Sequence, residues 1–429
     1  MRNMLFAALV LCGIGFAAVP SAPAAAQIPS ELLAFVNESG QVVVTSSDGS
    51  YRWIVTNPGE PLAYPLGYTW SADGTRLFFA VDLGGAVSLR VGDPNAQTWI
   101  EIGTASPGAS GGGWGGSGVA IAEGNTLRVY DPNGAGIVAE ANFEQSISAP
   151  SPFINPRPNL AIETPLELNG DSGFVQLADG RYALAGLNGG YTGIFETVNN
   201  NETRGAGLWA DVGPAVTFWG FTPNGNSVIA ALDARTGQGV IYDSGRAAPI
   251  TPLVWLDGTL TLIYRDSSAF IRAANFDCLP SCPPDLFANG VNLFASTAGQ
   301  VQTNDGLIVY QDGGAVYALD GGCIEANACE NSAVPLVNDA DPSGWLHTRA
   351  GVLAYTSTSG AAHVIDLACI GGECAPFAAL NGARSGLVSA TGSALTLDYS
   401  GWLSVIDLAT GNVLDLGIGS PLETATWNR

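Results

Sequence analysis

The chain has 429 residues, 15 arginines and no lysine, 38 acidic residues, and a formal net charge of −23. So acidic a protein is a poor partner for nucleic acid or an anionic membrane surface, because phosphates are repelled. Glycine at 56 and proline at 25, with charged residues at only 12%, fit many short strands joined by tight turns.

The first stretch, MRNMLFAALVLCGIGFAAVPSAPAAAQ, reads as a secretory signal peptide over residues 1–26. Arg2 supplies a positive start, Leu5 to Val19 an apolar stretch, and Ala24-Ala25-Ala26 a small-residue cleavage site before Gln27. Cys12 is a poor lipidation site, since bulky Leu11 stands where a small residue is wanted. Residues 27–429 are expected to form one exported domain, periplasmic or extracellular. No later apolar run is long enough to span a bilayer as a helix.

From there the chain repeats itself. Trp70-Ser71-Ala72-Asp73-Gly74-Thr75-Arg76-Leu77-Phe78-Phe79 opens one unit, with a tight turn between two apolar runs. Gln176-Leu177-Ala178-Asp179-Gly180 and Phe221-Thr222-Pro223-Asn224-Gly225 are taken as further openings, followed by Trp255-Leu256-Asp257-Gly258 and Asn304-Asp305-Gly306. Weaker copies turn at Gly118, Gly351 and Gly392. Asp-Gly and Asn-Gly between β-rich runs predict hairpins, because glycine accepts the positive φ such turns require.

A second mark is an apolar alternation that ends in aspartate. It closes at Asp131, Asp243, Asp320, Asp366 and Asp407, and more loosely at Asp93 and Asp277. Four short strands per unit, at a spacing of about 40 to 45 residues, predict a β-propeller. The carboxyl end, Ala425-Thr426-Trp427-Asn428, copies Tyr68-Thr69-Trp70-Ser71, and Leu32 to Val36 copies Leu77 to Val81. The last strand is therefore expected to complete the first blade and close the ring, which removes two unpaired sheet edges. Eight blades are expected, within a range of seven to nine. The uncertainty in the count lies in residues 108–170, where one unit could be an elaborated loop.

The stretch WSADGTRLFFAVD, with FTPNGNSVIAALD as a looser copy, resembles the repeat of TolB-like propellers. The ending VIDLATGNV is similar to the outer-strand turn of WD-repeat propellers. The resemblance implies a propeller fold and a binding platform in the cell envelope. It carries no catalytic residues.

Six cysteines follow Cys12, as Cys278/Cys282, Cys323/Cys329 and Cys369/Cys374. Each pair follows the aspartate mark in one of three consecutive units. An even count in an exported chain predicts local disulfides across the turn between the third and outermost strands. Zinc would need four ligands converging from one place, and no C-x-x-C redox motif is present.

Gly108-Ala109-Ser110-Gly111-Gly112 matches a nucleophile elbow in letters only, because it lies in a glycine-rich loop of an all-β chain. Asp339, Asp341 and Ser343 form the start of a calcium-loop pattern. Ala350 stands where the twelfth-position acid belongs, so only a shorter calcium turn remains a candidate, beside an ordinary Asp/Pro/Gly connection. His347 and His363 are expected to be packed or solvated. Trp70, Trp114, Trp219, Trp255, Trp345 and Trp427 recur near first strands and are expected to pack between blades rather than to stack a sugar. Asn37 and Asn201 sit in glycosylation sequons.

The expected function is that of a non-catalytic, monomeric scaffold that binds a protein or small ligand on one face and has no cofactor. The alternative is a calcium-assisted propeller hydrolase or lyase using carboxylates near the axis.

Overall fold

The structure, a computed structural model, describes residues 31–115, 118–142, 167–169, 172–176, 182–186, 192–195, 208–221, 224–236, 238–295, 300–372, 374–399, 401–418 and 425–428. The expected signal peptide, the proline-rich stretch 149–165 and Asn201 lie outside them. The described strands form an all-β propeller of four-stranded antiparallel sheets. Blade 1 unites Leu32–Val36, Val42–Ser46 and Arg52–Ile54 with the C-terminal Thr426–Trp427. Blades 2 to 9 follow as residues 68–105, 109–142, 167–195, 208–243, 251–295, 300–337, 346–381 and 385–418. Nine sheets is the upper end of the expected seven to nine, not the favoured eight. Residues 109–142 and 167–195 each complete four strands, where one of them was expected to be a loop.

The strands read as continuous apolar runs because both faces of a blade are covered. Leu32, Ala34 and Val36 pack with Leu77, Phe79 and Val81 of blade 2. The alternate residues Leu33 and Phe35 pack with Leu403 and Val405 of blade 9. The same division recurs in blade 2, whose Phe78 and Ala80 meet Val119 and Ile121 of blade 3. Alternation therefore assigns side chains to two neighbouring blades, not to core and solvent.

Antiparallel order fixes which connections share a face of the ring. The turns between strands one and two, and between three and four, lie on one face, here face A. The turns between strands two and three, and the crossings to the next blade, lie on face B. Asp73-Gly74, Asp257-Gly258, Asp305-Gly306 and Ala350-Gly351 are face-A turns between first and second strands. In the last two, both residues have positive φ (50° and 80°, 49° and 77°), the backbone of a type I′ hairpin.

One unit is read one strand out of phase in the sequence. Asn224–Gly225 joins the second and third strands of blade 5 (Ala215–Phe221 and Ser227–Asp233), and so lies on face B. The opening turn of that blade is instead at Asp211 to Gly213, and its third strand ends at Asp233, not Asp243. Asp179–Gly180 lies outside the described residues. The dipeptide signals a tight turn without saying which turn.

The aspartate mark is a cap. Asp93, Asp131, Asp233, Asp320, Asp366 and Asp407 each accept a hydrogen bond through Oδ1 from a backbone N–H two or three residues on, at 2.7–2.9 Å. In blade 6 this role passes to Asn275, whose Oδ1 accepts from Asp277 N at 2.7 Å. Such Asx turns end the third strand and reverse the chain on face A.

Neighbouring blades are also tied at the first strand. Trp70 Nε1 donates to Thr426 O at 3.0 Å, Trp114 Nε1 to Thr69 O at 3.0 Å and Trp255 Nε1 to Leu208 O at 2.9 Å. Each indole reaches the first strand of the preceding blade, so these tryptophans pack between blades. Trp219 is different, lying on the second strand of blade 5, while Trp209 holds the first-strand position.

Closure depends on Asn428. Its Oδ1 accepts from Leu32 N at 2.6 Å, its own N–H donates to Leu32 O at 2.8 Å, and its Nδ2 donates to Gly74 O at 3.3 Å. Glu31 adds a second tie, accepting from Thr391 N and Ser393 Oγ of blade 9 at 3.0 and 2.5 Å. Burial alone would raise the Glu31 carboxyl, but the bonds from Ser393, Ser389 and Thr391 hold it below its usual range. Asn428→Ala is expected to lower the urea midpoint, with a cost of about 1–3 kcal/mol for the stranded Leu32 N–H. Tryptophan fluorescence during urea unfolding reads this, and an unchanged midpoint would show that the cap is dispensable.

His347 sits in the seam between blades 8 and 9, where its Nδ1 accepts from Val388 N at 3.2 Å. Burial, helped by nearby Arg349, pushes the imidazole down to about 4 from its ordinary 6.5. The unfolded chain takes up this proton near pH 6.5 and the folded chain only near 4. The contribution is therefore full above about pH 6.5 and is lost as pH falls toward 4. His347→Gln is expected to make the acid arm of a stability–pH curve shallower between those values. An identical acid arm would refute the assignment.

Candidate functional site

Disulfides join Cys278–Cys282, Cys323–Cys329 and Cys369–Cys374. All three lie in face-A loops between third and fourth strands, on the adjacent blades 6, 7 and 8. Two of the loops open with a short 3-10 turn, Gly321–Cys323 or Leu367–Cys369, whose N-cap is Asp320 or Asp366. These loops run over residues 276–290, 321–333 and 367–377, whereas the corresponding turns of blades 2 and 9 span only 94–97 and 408–412. Face A is thus raised and stiffened over one third of the ring, each staple contributing about 2 kcal/mol or less by the chain-entropy estimate.

Between the first two stapled loops lies a groove of about 800 Å³. One wall is blade 6, from Gly258 and Thr259 to the returning segment Leu286–Val291. The other is blade 7, with Asp305 to Leu307 and Asp320 to Glu325. Four carboxylates line it, from Asp277, Asp305, Asp320 and Glu325, and no arginine does. Its apolar lining comes from Leu256, Leu286, Leu307 and Ile324.

The floor is rigid. Asp257 Oδ1 accepts from Thr303 Oγ at 2.7 Å and its Oδ2 from Asp305 N at 3.1 Å. Asp211 Oδ2 accepts from Gly258 N at 2.9 Å, and Asn304 Oδ1 from Gly351 N at 3.1 Å. The turn acids and amides therefore tie the opening hairpins of blades 5 to 8 in series. Tyr264 OH donates to Phe287 O at 2.5 Å, anchoring the far end of the first loop.

Asp339, Asp341 and Ser343 lie across the ring on face B, in the crossing from blade 7 to blade 8. Asp341 Oδ1 accepts from Ser343 N at 2.9 Å and Ser343 Oγ at 2.8 Å, which holds its carboxyl below the usual range. Asp339 Oδ1 accepts from Tyr355 OH at 3.0 Å, and His363 Nδ1 lies 3.1 Å from the same phenol. Because the chain leaves this turn directly into the strand Leu346–Arg349, Ala350 ends up in a hairpin on face A. A twelve-residue loop is not formed, and among the described residues no three His, Cys, Asp or Glu side chains group to hold a metal. His363 belongs to this polar cluster, whereas His347 is the seam histidine described above. Gly108 to Gly112 straddles the start of blade 3, whose first strand is Ala109–Gly115, so the nucleophile-elbow letters fall on a β-strand and not on a strand-to-helix turn.

Asp277, Asp305 and Asp320 were legible as repeat marks, but their convergence was not. Glu325 was missed, since nothing in the letters of a cysteine loop shows which wall it faces.

No protein-family model matches the chain, and no curated protein matches it in sequence. Solved structures do. The crystal structure of a eukaryotic initiation factor aligns with TM-score 0.60 and 10% identity, over 94% of this chain and 99% of that one. Dipeptidyl peptidase 4 of Porphyromonas gingivalis aligns with TM-score 0.51 and 8% identity, over 80% of this chain and 57% of that one. BamB from Moraxella catarrhalis aligns with TM-score 0.43 and 15% identity, over 88% and 100%. The likeness is one of fold, a β-propeller, and carries neither activity nor partner across.

Proposed function

We propose that the protein is an exported, non-catalytic scaffold whose face-A groove between blades 6 and 7 takes a cationic segment of a partner polypeptide. The observation that carries this is the groove itself, in which four carboxylates and an apolar floor are held between two disulfide-stapled loops. Opposite charge favours arginine- or lysine-bearing segments and speeds their encounter. Stapled walls reduce the ordering cost that binding would otherwise incur. Oxidised cysteines and a leader-like amino terminus support export to the periplasm or beyond.

The probe is a synthetic peptide alternating arginine and leucine, titrated calorimetrically into the intact protein at low and physiological salt. Binding should weaken with salt, and Asp277→Lys/Glu325→Lys should reduce it about tenfold or more, as loss of two charge-assisted contacts implies. Equal binding by that variant would sink the groove as the site. The staples give a second, internal comparison. Cys278→Ser/Cys282→Ser should keep the fold at a cost of about 2 kcal/mol and weaken the peptide, whereas Cys369→Ser/Cys374→Ser, off the groove, should leave binding unchanged. Equal effects from the two pairs would mean that the loops act only through stability.

A further inference from the structure

The geometry points to a second site, independent of the groove: a cleft between blades 5 and 6 that binds a small monocarboxylate through Arg246. The cleft measures about 230 Å³ and opens toward face B. Its rim is the crossing Ser244–Arg246 on one side and the hairpin Asp266–Ser268 on the other. It is mostly polar, in contrast to the groove, and it gathers two of the chain's 15 arginines.

The two cations differ in what they have left to give. Arg272 Nε lies 2.8 Å from Asp266 Oδ2, and its Nη1 donates to Ala288 O at 3.1 Å. Asp266 Oδ1 is occupied by the N–H groups of Ser268 and Phe270 at 2.8 and 3.0 Å. That acid is therefore committed to its own hairpin and to Arg272. Arg246 is exposed, makes no ion pair among the described residues, and only reaches Ser268 Oγ at 3.5 Å. Its position is fixed from behind, since Arg246 N donates to Ser244 Oγ at 3.1 Å and Ser244 Oγ donates to Arg246 O at 2.9 Å. The backbone of Arg246 is thus held in the crossing, and its guanidinium, within reach of Ser268 Oγ at the cleft rim, offers the donor fork that a carboxylate accepts in bidentate fashion.

Charge and shape narrow the ligand. One uncommitted cation beside Asp266, in a chain of net charge −23, suits a monoanion and opposes a dianion such as a phosphate monoester. The cleft wall is aromatic, with Tyr242 stacked on Phe287 at 6.1 Å and 27°. At about 30 Å³ per water in the liquid, the space is several waters' worth, room for a carboxylate carrying a ring or short apolar tail.

The test uses the full chain with benzoate, acetate and inorganic phosphate as probes, followed by calorimetry and by chemical-shift changes at Arg246 and Tyr242. Benzoate should bind better than acetate, and both better than phosphate. Arg246→Gln should weaken benzoate about tenfold or more, as expected for a lost charge-assisted pair, with an unchanged unfolding midpoint. Tyr242→Leu should reduce benzoate to the level of acetate. No saturable benzoate binding, binding unaffected by Arg246→Gln, or phosphate bound more tightly than benzoate would each overturn the assignment.

Discussion

Each blade is a sheet with two apolar faces, and that requirement governs the rest of the molecule. Leu32, Ala34 and Val36 need one neighbour, while Leu33 and Phe35 need another. A linear row of such sheets would leave an apolar face bare at each end, whereas a ring covers both. The joint is supplied by the final residues, where Thr426–Trp427 pairs with Leu33 and Ala34. Asn428 secures that joint with both its side chain and its backbone. The buried apolar clusters of the described residues lie in the seams between blades, and recognition falls to what the two faces expose.

The two faces then diverge for reasons of chain topology. Face A collects the Asx-capped turns that end third strands and the acids of several opening hairpins, among them Asp211, Asp257 and Asp305. The same acids serve first as fasteners, as Asp257 does for blade 7 and Asp211 for blade 6. Where the loops lengthen on blades 6 and 7, the acids Asp277, Asp305, Asp320 and Glu325 come to line one groove beside apolar side chains. Face B receives the crossings between blades, and there Arg246 and Arg272 meet in the seam of blades 5 and 6.

Much of the fold was legible because its marks are local. The aspartates that end third strands, the copy of Tyr68 to Ser71 at the carboxyl terminus and the three cysteine pairs each rest on a few neighbouring residues. Phase in blade 5 was not legible, because Asn224–Gly225 on face B and Asp257–Gly258 on face A are the same signal in different turns. The sites were less legible still. Asp277 and Glu325 are brought together by blade packing, and Arg246 meets Ser268 across a seam. A sequence without lysine makes each arginine conspicuous, yet says nothing about which ones are already paired.

The distribution of the disulfides now has a physical rationale. The turn after Asp407 is short and closes by its own hydrogen bonds, from Thr410 N and Thr410 Oγ to Asp407 Oδ1 at 2.7 and 2.9 Å. The equivalent turns on blades 6, 7 and 8 carry extra residues that the ring itself has no need to order. A long loop without a disulfide would sample many conformations. Fixing it near its root with a bond across four to six positions leaves the outer part free to present side chains while its base keeps register with the blade. The cysteines therefore mark where the chain departs from the repeat, and two of those three departures border the groove. Arg246, by contrast, needs no staple, because it sits on a short crossing whose ends are two packed strands.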